Sequence, residues 1–323
     1  MEKIEQLQKD FADFLAQTDF GGQPDKLYAP IAYTVLQRGK RLRPMLCLLA
    51  NEMFGGDVKE ALWPALALET FHNFTLIHDD IMDKAPLRRG KETVYQKWNA
   101  DVAILSGDAM LAMAFQLALK PKKGEEMANL LCKVAREVCE GQMMDLNFET
   151  QPDVTIGEYL EMIRLKTAVL LATALQMGAT VASAGATDIR HLYDFGIALG
   201  MSFQLQDDIL DLYGDVTVFG KRHGGDIADN KKTYLYLKAL ELASERDRKR
   251  LVRLFSIRID HDEEEKIEEV QAIYDRLKVK EAVKEVIAGY DRNALEALEA
   301  VNLPKDRKTL ISRYVSLLSG RER

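Results

Sequence analysis

The sequence is poor in residues that staple or interrupt a chain of 323 residues. Its three cysteines, Cys47, Cys132 and Cys139, are odd in number and form no CxxC pair, so neither a disulfide framework nor a zinc site is expected. Their scarcity fits a reducing compartment. Eight prolines leave room for long helices. No long basic cluster accompanies the net charge of −7, which argues against nucleic acid as a partner.

Signals for export and for membrane insertion are also weak. The charged, amphipathic N-terminus lacks the apolar core of a signal peptide. The most apolar run, Val102 to Leu119, contains Asp108 together with Ser106, Gly107 and Gln116, which are costly in a bilayer. We therefore expect a buried central helix here, no membrane span, and a cytoplasmic protein.

Apolar residues recur at helical spacing through most of the chain, and no stretch shows the alternation of a strand. Helices are predicted over 2–17, 25–38, 44–50, 60–83, 101–119, 125–147, 156–183, 188–213 and most of 232–320. Thr155 and Glu158 form a possible capping box. The acidic run 262–265 is predicted to be a solvated helix start. Without a composition shift or a repeat, the pattern indicates one all-α domain over 1–323.

A first acidic motif stands at the end of the helix predicted over 60–83. Residues 78–90 read HDDIMDKAPLRRG, so Asp79 and Asp83 lie on one helical face, one turn apart. Two carboxylates so placed repel each other near the negative end of the helix dipole, unless a cation lies between them. Mg²⁺ takes one or two carboxylates and leaves other positions for substrate phosphates. The arginines that follow are suited to phosphate. The motif therefore predicts a metal-bridged diphosphate site, and a solvated acidic helix end is the alternative.

A second acidic motif favours the metal site. Residues 203–211 read FQLQDDILD, again near the end of a long apolar helix. Carboxylates on two facing helices build metal sites in helix bundles. The candidate phosphate ligands are the basic residues Lys40, Arg43, Arg88, Arg89, Lys166, Lys221 and Lys231. Lys166 is the least ordinary of them, because it adjoins an apolar run and needs an anionic partner there. His72 is in register with Asp79 on the same helix.

These blocks, from GKRLRP at 39–44 to GDIADNKKTY at 225–234, resemble the trans-isoprenyl diphosphate synthases, the polyprenyl synthetase family. The resemblance covers about two thirds of the chain and is closest to the short-chain type, the geranylgeranyl and farnesyl diphosphate synthases. It implies the all-helical terpenoid synthase bundle, in which the two motifs face each other across a deep central cavity. It also implies a homodimer and about three Mg²⁺ ions per active site.

The resemblance also implies a role for each candidate residue. Direct magnesium ligands would be Asp79, Asp83 and Asp207, supported by Asp80, Asp208 and Asp211. The allylic diphosphate would be held by Arg88, Lys166 and Lys221. The diphosphate of isopentenyl diphosphate would be bound by Lys40, Arg43, His72 and Arg89. Thr167 and Gln204 would steady the developing allylic cation, and Lys231 would help to close the loop 214–231.

The implied reaction joins isopentenyl diphosphate to dimethylallyl, geranyl or farnesyl diphosphate and lengthens the chain by five carbons. Phe74 and Thr75 stand one helical turn before the first motif and Phe71 lies a further turn away, where bulky residues shorten the product in this family. We therefore expect a C20 product, with C15 as the near alternative. The remaining alternatives are a class I terpene cyclase, a longer-chain polyprenyl diphosphate synthase, and a non-catalytic subunit of a heteromeric synthase.

Overall fold

The computed structural model describes residues 2–37, 39–214, 223–256 and 263–319. Their α-helices, in chain order, are α1 Glu2–Gln17, α2 Asp25–Val35, α3 Leu42–Met53, α4 Val58–Met82, α5 Val94–Lys97, α6 Ala100–Ala118, α7 Gly124–Thr150, α8 Ile156–Ile163, α9 Val169–Val181, α10 Ala186–Tyr213, α11 Gly225–Ala228, α12 Tyr234–Leu242, α13 Glu245–Ser256, α14 Glu263–Arg276, α15 Val279–Ala300 and α16 Lys305–Ser319. A π-helical segment, Arg164–Ala168, joins α8 to α9. The strand β1, Leu87–Arg88, pairs with β2, Lys91–Glu92. The predicted all-α class is confirmed.

The chain divides into two compact units, and the first comprises Met1–Val134, Leu170–Tyr193 and Leu298–Arg323. Within it, α4 packs against both α3 and α6. Helix α3 is apolar on nearly all sides and is buried from Pro44 through Asn51, as a central helix must be. The spacing of α1 predicts an apolar stripe of Ile4, Leu7, Phe11, Phe14 and Leu15, and the structure buries all of these except Phe14, which is partly exposed. The unit thus holds the helix that carries the first acidic motif against an apolar core.

The second unit comprises Ala135–Val169 and Asp194–Ala297 and has its own apolar cluster around α8, α10, α12 and α14. The predicted capping box is present, because Thr155 accepts from the backbone of Glu158 and Glu158 accepts from that of Thr155. Glu263, Glu264 and Glu265 form the exposed first turn of α14, as expected for a solvated helix start. The domain arrangement over 1–323 remains a prediction.

The helix predicted over 156–183 is interrupted, because the backbone widens into the π-helical segment at 164–168. Two neighbouring helices pack closely against this segment at glycine residues. A Cβ at Gly141 of α7 would lie 2.5 Å from the backbone nitrogen of Lys166. A Cβ at Gly200 of α10 would lie 2.5 Å from the Cα of Ala168. Single π-helical turns inside α-helices occur frequently at functional sites.

The expectation of a chain without strands is also wrong in one place. Arg89 and Gly90 have φ of 53° and 74°, which is the backbone of a two-residue hairpin turn, and they connect β1 to β2. Each strand has two residues, and three of the four, Arg88, Lys91 and Glu92, are charged, so the period-2 pattern on which strand prediction depends is absent.

Helix α6 is less buried than its composition predicts. Among the described residues, it is the helix that is long and apolar enough to cross a membrane by length and composition. Only 28% of its most apolar stretch is buried. Ala103, Gly107, Met110 and Ala114 form its buried face. The opposite face exposes apolar side chains, among them Leu105 at 60%. The expectation of a helix buried on most sides is therefore corrected, because neighbouring helices cover one face of it.

Candidate active site

The first acidic motif ends helix α4. Asp57 caps the start of this helix by accepting from the Lys59 backbone at 2.9 Å, and Asp83 is the C-terminal cap. The Asp83 nitrogen donates to the Asp79 carbonyl at 2.8 Å, so the two residues are one turn apart. Asp83 is exposed and Asp79 is partly so. Both carboxylates thus lie at the negative end of the helix dipole, where a cation relieves their repulsion.

Asp80 is turned to a different partner. It is 4% exposed, and its Oδ1 accepts from Arg88 Nε at 2.8 Å. Burial raises the pKa of Asp80, and the charge of Arg88 opposes that shift. Arg88 is in β1 and Arg89 is in the turn of the hairpin, so the two arginines leave the chain in different directions. A Cβ at Gly39 would lie 2.9 Å from Nη1 of Arg89, which places that guanidinium against the 39–43 turn.

His72 is surrounded by positive charge. Burial lowers its pKa well below the usual value, and the charges of Arg43, Arg89, Arg88 and Arg41 lower it further, in that order. The histidine is therefore neutral at pH 7. Burial also lowers the pKa of Arg43 to about 10, and within the described residues the buried Arg43 Nε has no hydrogen-bond partner. Lys40 beside them is exposed. The structure thus groups the predicted isopentenyl diphosphate ligands of this unit around one another.

In the second unit the π-helical segment presents Lys166 and Thr167. Lys166 Nζ is 2.5 Å from Asp145 Oδ2, which supplies the anionic partner expected for this lysine. Thr167 Oγ1 donates to Gln204 Oε1 at 3.0 Å. This contact joins the two residues predicted to steady a cation. It leaves the lone pairs of the threonine hydroxyl available to a neighbouring positive centre.

Asp208 is held by protein groups on both of its oxygens. Tyr159 Oη donates to its Oδ2 at 2.5 Å, and Gln204 Nε2 donates to its Oδ1 at 3.2 Å. Burial raises the pKa of Asp208 to about 7, and Asp226 adds to the rise. Asp208 therefore orients the Gln204 amide, whose Oε1 then faces Thr167. The arrangement fits a supporting residue better than a direct metal ligand.

The rest of the second motif is ordered by the segment that follows it. Asp211 accepts from the Asp226 backbone nitrogen at 3.0 Å through Oδ2. Lys231 Nζ is 3.8 Å from Asp226 Oδ1, and its backbone nitrogen donates to the Asp226 carbonyl. Asp207 is partly exposed on α10. Lys221, predicted to bind the allylic diphosphate, lies outside the described residues.

The donor set of the first motif fits magnesium. Among the described residues, no group of three or more histidine, cysteine or acidic side chains forms a ready-made metal cage. Mg²⁺ does not need one, since it binds through one or two carboxylates and completes its shell with water and substrate phosphate. Asp79 and Asp83 supply that minimal set of hard oxygen donors on one helical face.

Sequence reasoning missed several supporting residues. Glu69 forms an ion pair with Arg41, next to the basic cluster of Lys40, Arg43 and Arg89. Tyr159 donates a hydrogen bond to Asp208. Glu69 gave a signal, because it is a carboxylate within an apolar helix and a buried charge needs a partner. Tyr159 gave none, because it lies 49 positions from Asp208 and no local pattern links the two.

Comparison with known proteins identifies the family of the chain. The sequence model of the polyprenyl synthetase family matches residues 24–276. The chain is 38% identical over 290 residues to a short chain isoprenyl diphosphate synthase of Methanothermobacter thermautotrophicus, covering 89% of this chain and 88% of that protein. It is 41% identical over 223 residues to a geranylgeranyl diphosphate synthase of Methanosarcina mazei, covering 68% of this chain and 69% of that one. A crystal structure of a geranylgeranyl pyrophosphate synthase superposes with a TM-score of 0.93 at 42% identity and covers 99% of each chain.

The chain therefore belongs to the polyprenyl synthetase family. It is an isoprenyl diphosphate synthase, a prenyltransferase that makes a short-chain isoprenyl diphosphate, as the motifs predicted.

The His72→Gln variant is expected to lose less stability than the wild type when the pH is lowered. Because the folded pKa of His72 is lowered, the unfolded chain takes up a proton below about pH 6.5 that the folded chain does not. His72 therefore lowers the free energy of unfolding as the pH falls, by at most about 1.4 kcal/mol per pH unit. Urea unfolding at about pH 5.5 and about pH 7.5 measures the difference.

The matched control is His191→Gln on α10. Equal pH dependence in wild type and His72→Gln would contradict the neutral state of His72.

Proposed function

We propose that the chain condenses isopentenyl diphosphate with an allylic diphosphate, either dimethylallyl, geranyl or farnesyl, and releases geranylgeranyl diphosphate, the C20 product. The observation that carries this proposal is the gathering of arginines around the neutral His72, beside two carboxylates on one face of α4. A cationic pocket next to a magnesium-type donor pair suits a substrate that carries a diphosphate. Relatives that make geranylgeranyl diphosphate support the chain length.

Isopentenyl diphosphate binds through the basic cluster of the first unit. Arg43 and Arg89 supply forked donors, and the exposed Lys40 adds a point charge. His72 is neutral and contributes a hydrogen bond rather than a charge. The burial that lowers the pKa of Arg43 makes a bound anion favourable, because the diphosphate restores the solvation that this guanidinium has lost.

The allylic diphosphate binds through Arg88, Lys166 and Lys221. Asp80 orients Arg88, and Asp145 orients Lys166. The Mg²⁺ ions would be held by Asp79, Asp83 and Asp207, and Asp211 would support them. Bound there, magnesium supplies Lewis-acid activation of the diphosphate leaving group.

The carbon–oxygen bond of the allylic diphosphate breaks to leave an allylic cation, with both bonding electrons on the departing oxygen. The Thr167 hydroxyl and Gln204 Oε1 present oxygen dipoles to that cation. The double bond of isopentenyl diphosphate attacks it and forms the new carbon–carbon bond. The proton that is then lost passes to the released diphosphate. Lys231 helps to close the loop 214–231, which excludes water from the cation.

Two features favour this reaction over its alternatives. A class I terpene cyclase has no use for a second diphosphate site and usually replaces the second DDxxD, whereas this chain has DDILD at 207–211 and pairs GKRLRP with RRG. A longer-chain synthase needs room beside α4, whereas Phe71 and Phe74 are both buried there with ring centroids 5.5 Å apart. We therefore assign Phe71, Phe74 and Thr75 as the residues that limit the product to C20.

The enzyme works as a homodimer that covers the exposed face of α6. Apolar side chains along that face include Ile104, Leu105 and Leu119, which are 42%, 60% and 57% exposed. Large exposed apolar patches mark interaction surfaces. Asp101 and Asp108 lie in the same stripe and disfavour a bilayer as the occupant, whereas a second copy accommodates them at the rim.

Asp79→Ala and Asp207→Ala should each reduce turnover by several orders of magnitude and leave the fold intact, because each variant loses a magnesium ligand. The assay incubates the protein with isopentenyl diphosphate, labelled allylic starters and Mg²⁺, followed by chain-length analysis and circular dichroism.

Asp13→Ala, an exposed aspartate on α1, is the control and should retain full turnover. Near-normal turnover of either motif variant would contradict the metal assignment.

Phe74→Ala should lengthen the main product beyond C20, because it removes a ring from the wall along α4. Chromatography of the dephosphorylated products gives the distribution. Phe11→Ala removes an equally buried ring from α1 and should leave the product length unchanged. An unchanged distribution for Phe74→Ala would refute the chain-length assignment.

Leu105→Glu should convert the dimer to a monomer, because it places a charge in the proposed apolar interface. Light scattering coupled to size exclusion measures the mass. Leu295→Glu on α15, at a site 56% exposed, is the matched control and should remain dimeric. A Leu105→Glu variant that is still dimeric would exclude this face.

A further inference from the structure

Arg41 stands between two proposed diphosphate ligands, Lys40 and Arg43, but its side chain turns inward. It is 15% exposed, whereas Lys40 is exposed to solvent. Arg41 Nη2 donates to the Val35 carbonyl at 2.8 Å and to the Gln37 carbonyl at 2.5 Å. Its Nη1 donates to Oε1 of Glu69. The guanidinium therefore connects the end of α2 to α4.

The backbone at Arg41 is fixed as well. Its φ of 48° is in the left-handed region, which costs a non-glycine residue free energy unless surrounding contacts maintain it. Arg41 is also the N-terminal cap of α3, so its conformation sets where that helix begins and how Arg43 enters its first turn. The contacts of the Arg41 side chain thus determine the path of the 39–43 turn.

Glu69 is the anchor of these contacts. Its carboxylate is 3% exposed, and burial of a charge is costly without a partner. Asn73 Nδ2 donates to the Glu69 carbonyl at 2.7 Å and to its Oε1 at 3.1 Å, which holds the carboxylate toward Arg41. The charge of Glu69 also acts on Arg43 and Arg89, where it raises the pKa against the effect of burial. Glu69 lies one turn before His72 on α4.

We propose that Glu69 and Arg41 are positioning residues for the isopentenyl diphosphate site. Their ion pair holds the 39–43 turn against α4, so that Lys40 and Arg43 meet the diphosphate together with His72 and Arg89. This inference rests on the proposed function, which assigns those four residues to that substrate. The pair itself does not touch substrate.

A purely electrostatic role for Glu69 has the opposite sign. A carboxylate near a binding site for an anion repels the ligand, so its neutralisation would strengthen binding if charge were all that mattered. A positioning role predicts weaker binding instead, because the turn loses its anchor. The direction of the change therefore separates the two roles.

The experiment compares Glu69→Gln, Glu69→Asp and Arg41→Lys in steady-state kinetics and in calorimetric binding of isopentenyl diphosphate. Glu69→Gln should raise the KM and Kd for isopentenyl diphosphate at least about tenfold and change the KM for the allylic diphosphate less than about twofold. Glu69→Asp and Arg41→Lys keep the charge but lose the geometry, so they should show the same selective loss. The double variant Glu69→Gln/Arg41→Lys should lose no more than the worse single variant.

Glu60→Gln is the matched control on the same helix, where Glu60 pairs with Lys122 at the surface, and it should leave both KM values unchanged. Tighter binding of isopentenyl diphosphate by Glu69→Gln would overturn the proposal in favour of a charge effect. An equal rise in both KM values, or a wild-type Kd in Glu69→Asp, would overturn it in favour of a general structural role.

Lys40→Ala separates a failure of the substrate assignment from a failure of the positioning role. If it leaves the KM for isopentenyl diphosphate unchanged, the substrate assignment fails and the positioning role fails with it. If it raises that KM while Glu69→Gln does not, the positioning role alone fails.

Discussion

Buried guanidinium groups must be compensated, and this constraint shapes the arginine cluster around His72 in the first unit. Arg43 is buried deeply enough that its pKa is lowered to about 10. Glu69 is the buried carboxylate whose charge acts on Arg41, Arg43 and Arg89. A cluster so arranged is strained by its own repulsion until an anion arrives. Under the proposed function, substrate diphosphate supplies that anion, so binding energy is available to order the site as well as to hold the ligand.

The polar residues around the π-helical segment in the second unit depend on backbone geometry rather than on charge. The π-helical segment adds a residue to one helical turn and so rotates Lys166 and Thr167 relative to a regular α-helix. Gly141 and Gly200 let α7 and α10 approach this wider turn on its two sides. Those helices carry the partners of the two residues, Asp145 on α7 and Gln204 on α10. A larger residue at either glycine would separate the helices and lengthen both polar contacts.

Local patterns predicted the features that depend on local physics. The buried stripe of α1, the capping box at Thr155 and the acidic motifs at helix ends all follow from spacing along one helix, and the structure contains them. The turn at Arg89 and Gly90 was missed because two positive φ values leave little trace in composition. The π-helical segment was missed because nothing in the periodicity of the sequence RLKTA marks a widened turn.

Contacts between distant segments were beyond sequence reasoning for a different reason. Arg41 reaches Glu69 across 28 positions, and Tyr159 reaches Asp208 across 49. In each pair one residue looks ordinary in its own segment, since an arginine in a basic turn and a tyrosine in an amphipathic helix need no special explanation. These residues matter because the fold buries them side by side. Loss of one partner would leave the other buried and unpaired, which costs free energy of folding.

Helix α4 presents two separate faces because its period is 3.6 residues. His72, Asp79 and Asp83 are spaced by seven and four positions and therefore share one face. Phe71, Phe74 and His78 share another, with the Phe74 and His78 rings 4.8 Å apart. The His78 ring abuts α6 so closely that a Cβ at Gly107 would lie 2.3 Å from Nε2. The aromatic face is thus anchored to α6 independently of the carboxylates. Under the proposed roles, a change of ring size on that face alters the space beside the helix without moving the proposed magnesium donors, so product length can vary while the chemistry stays the same.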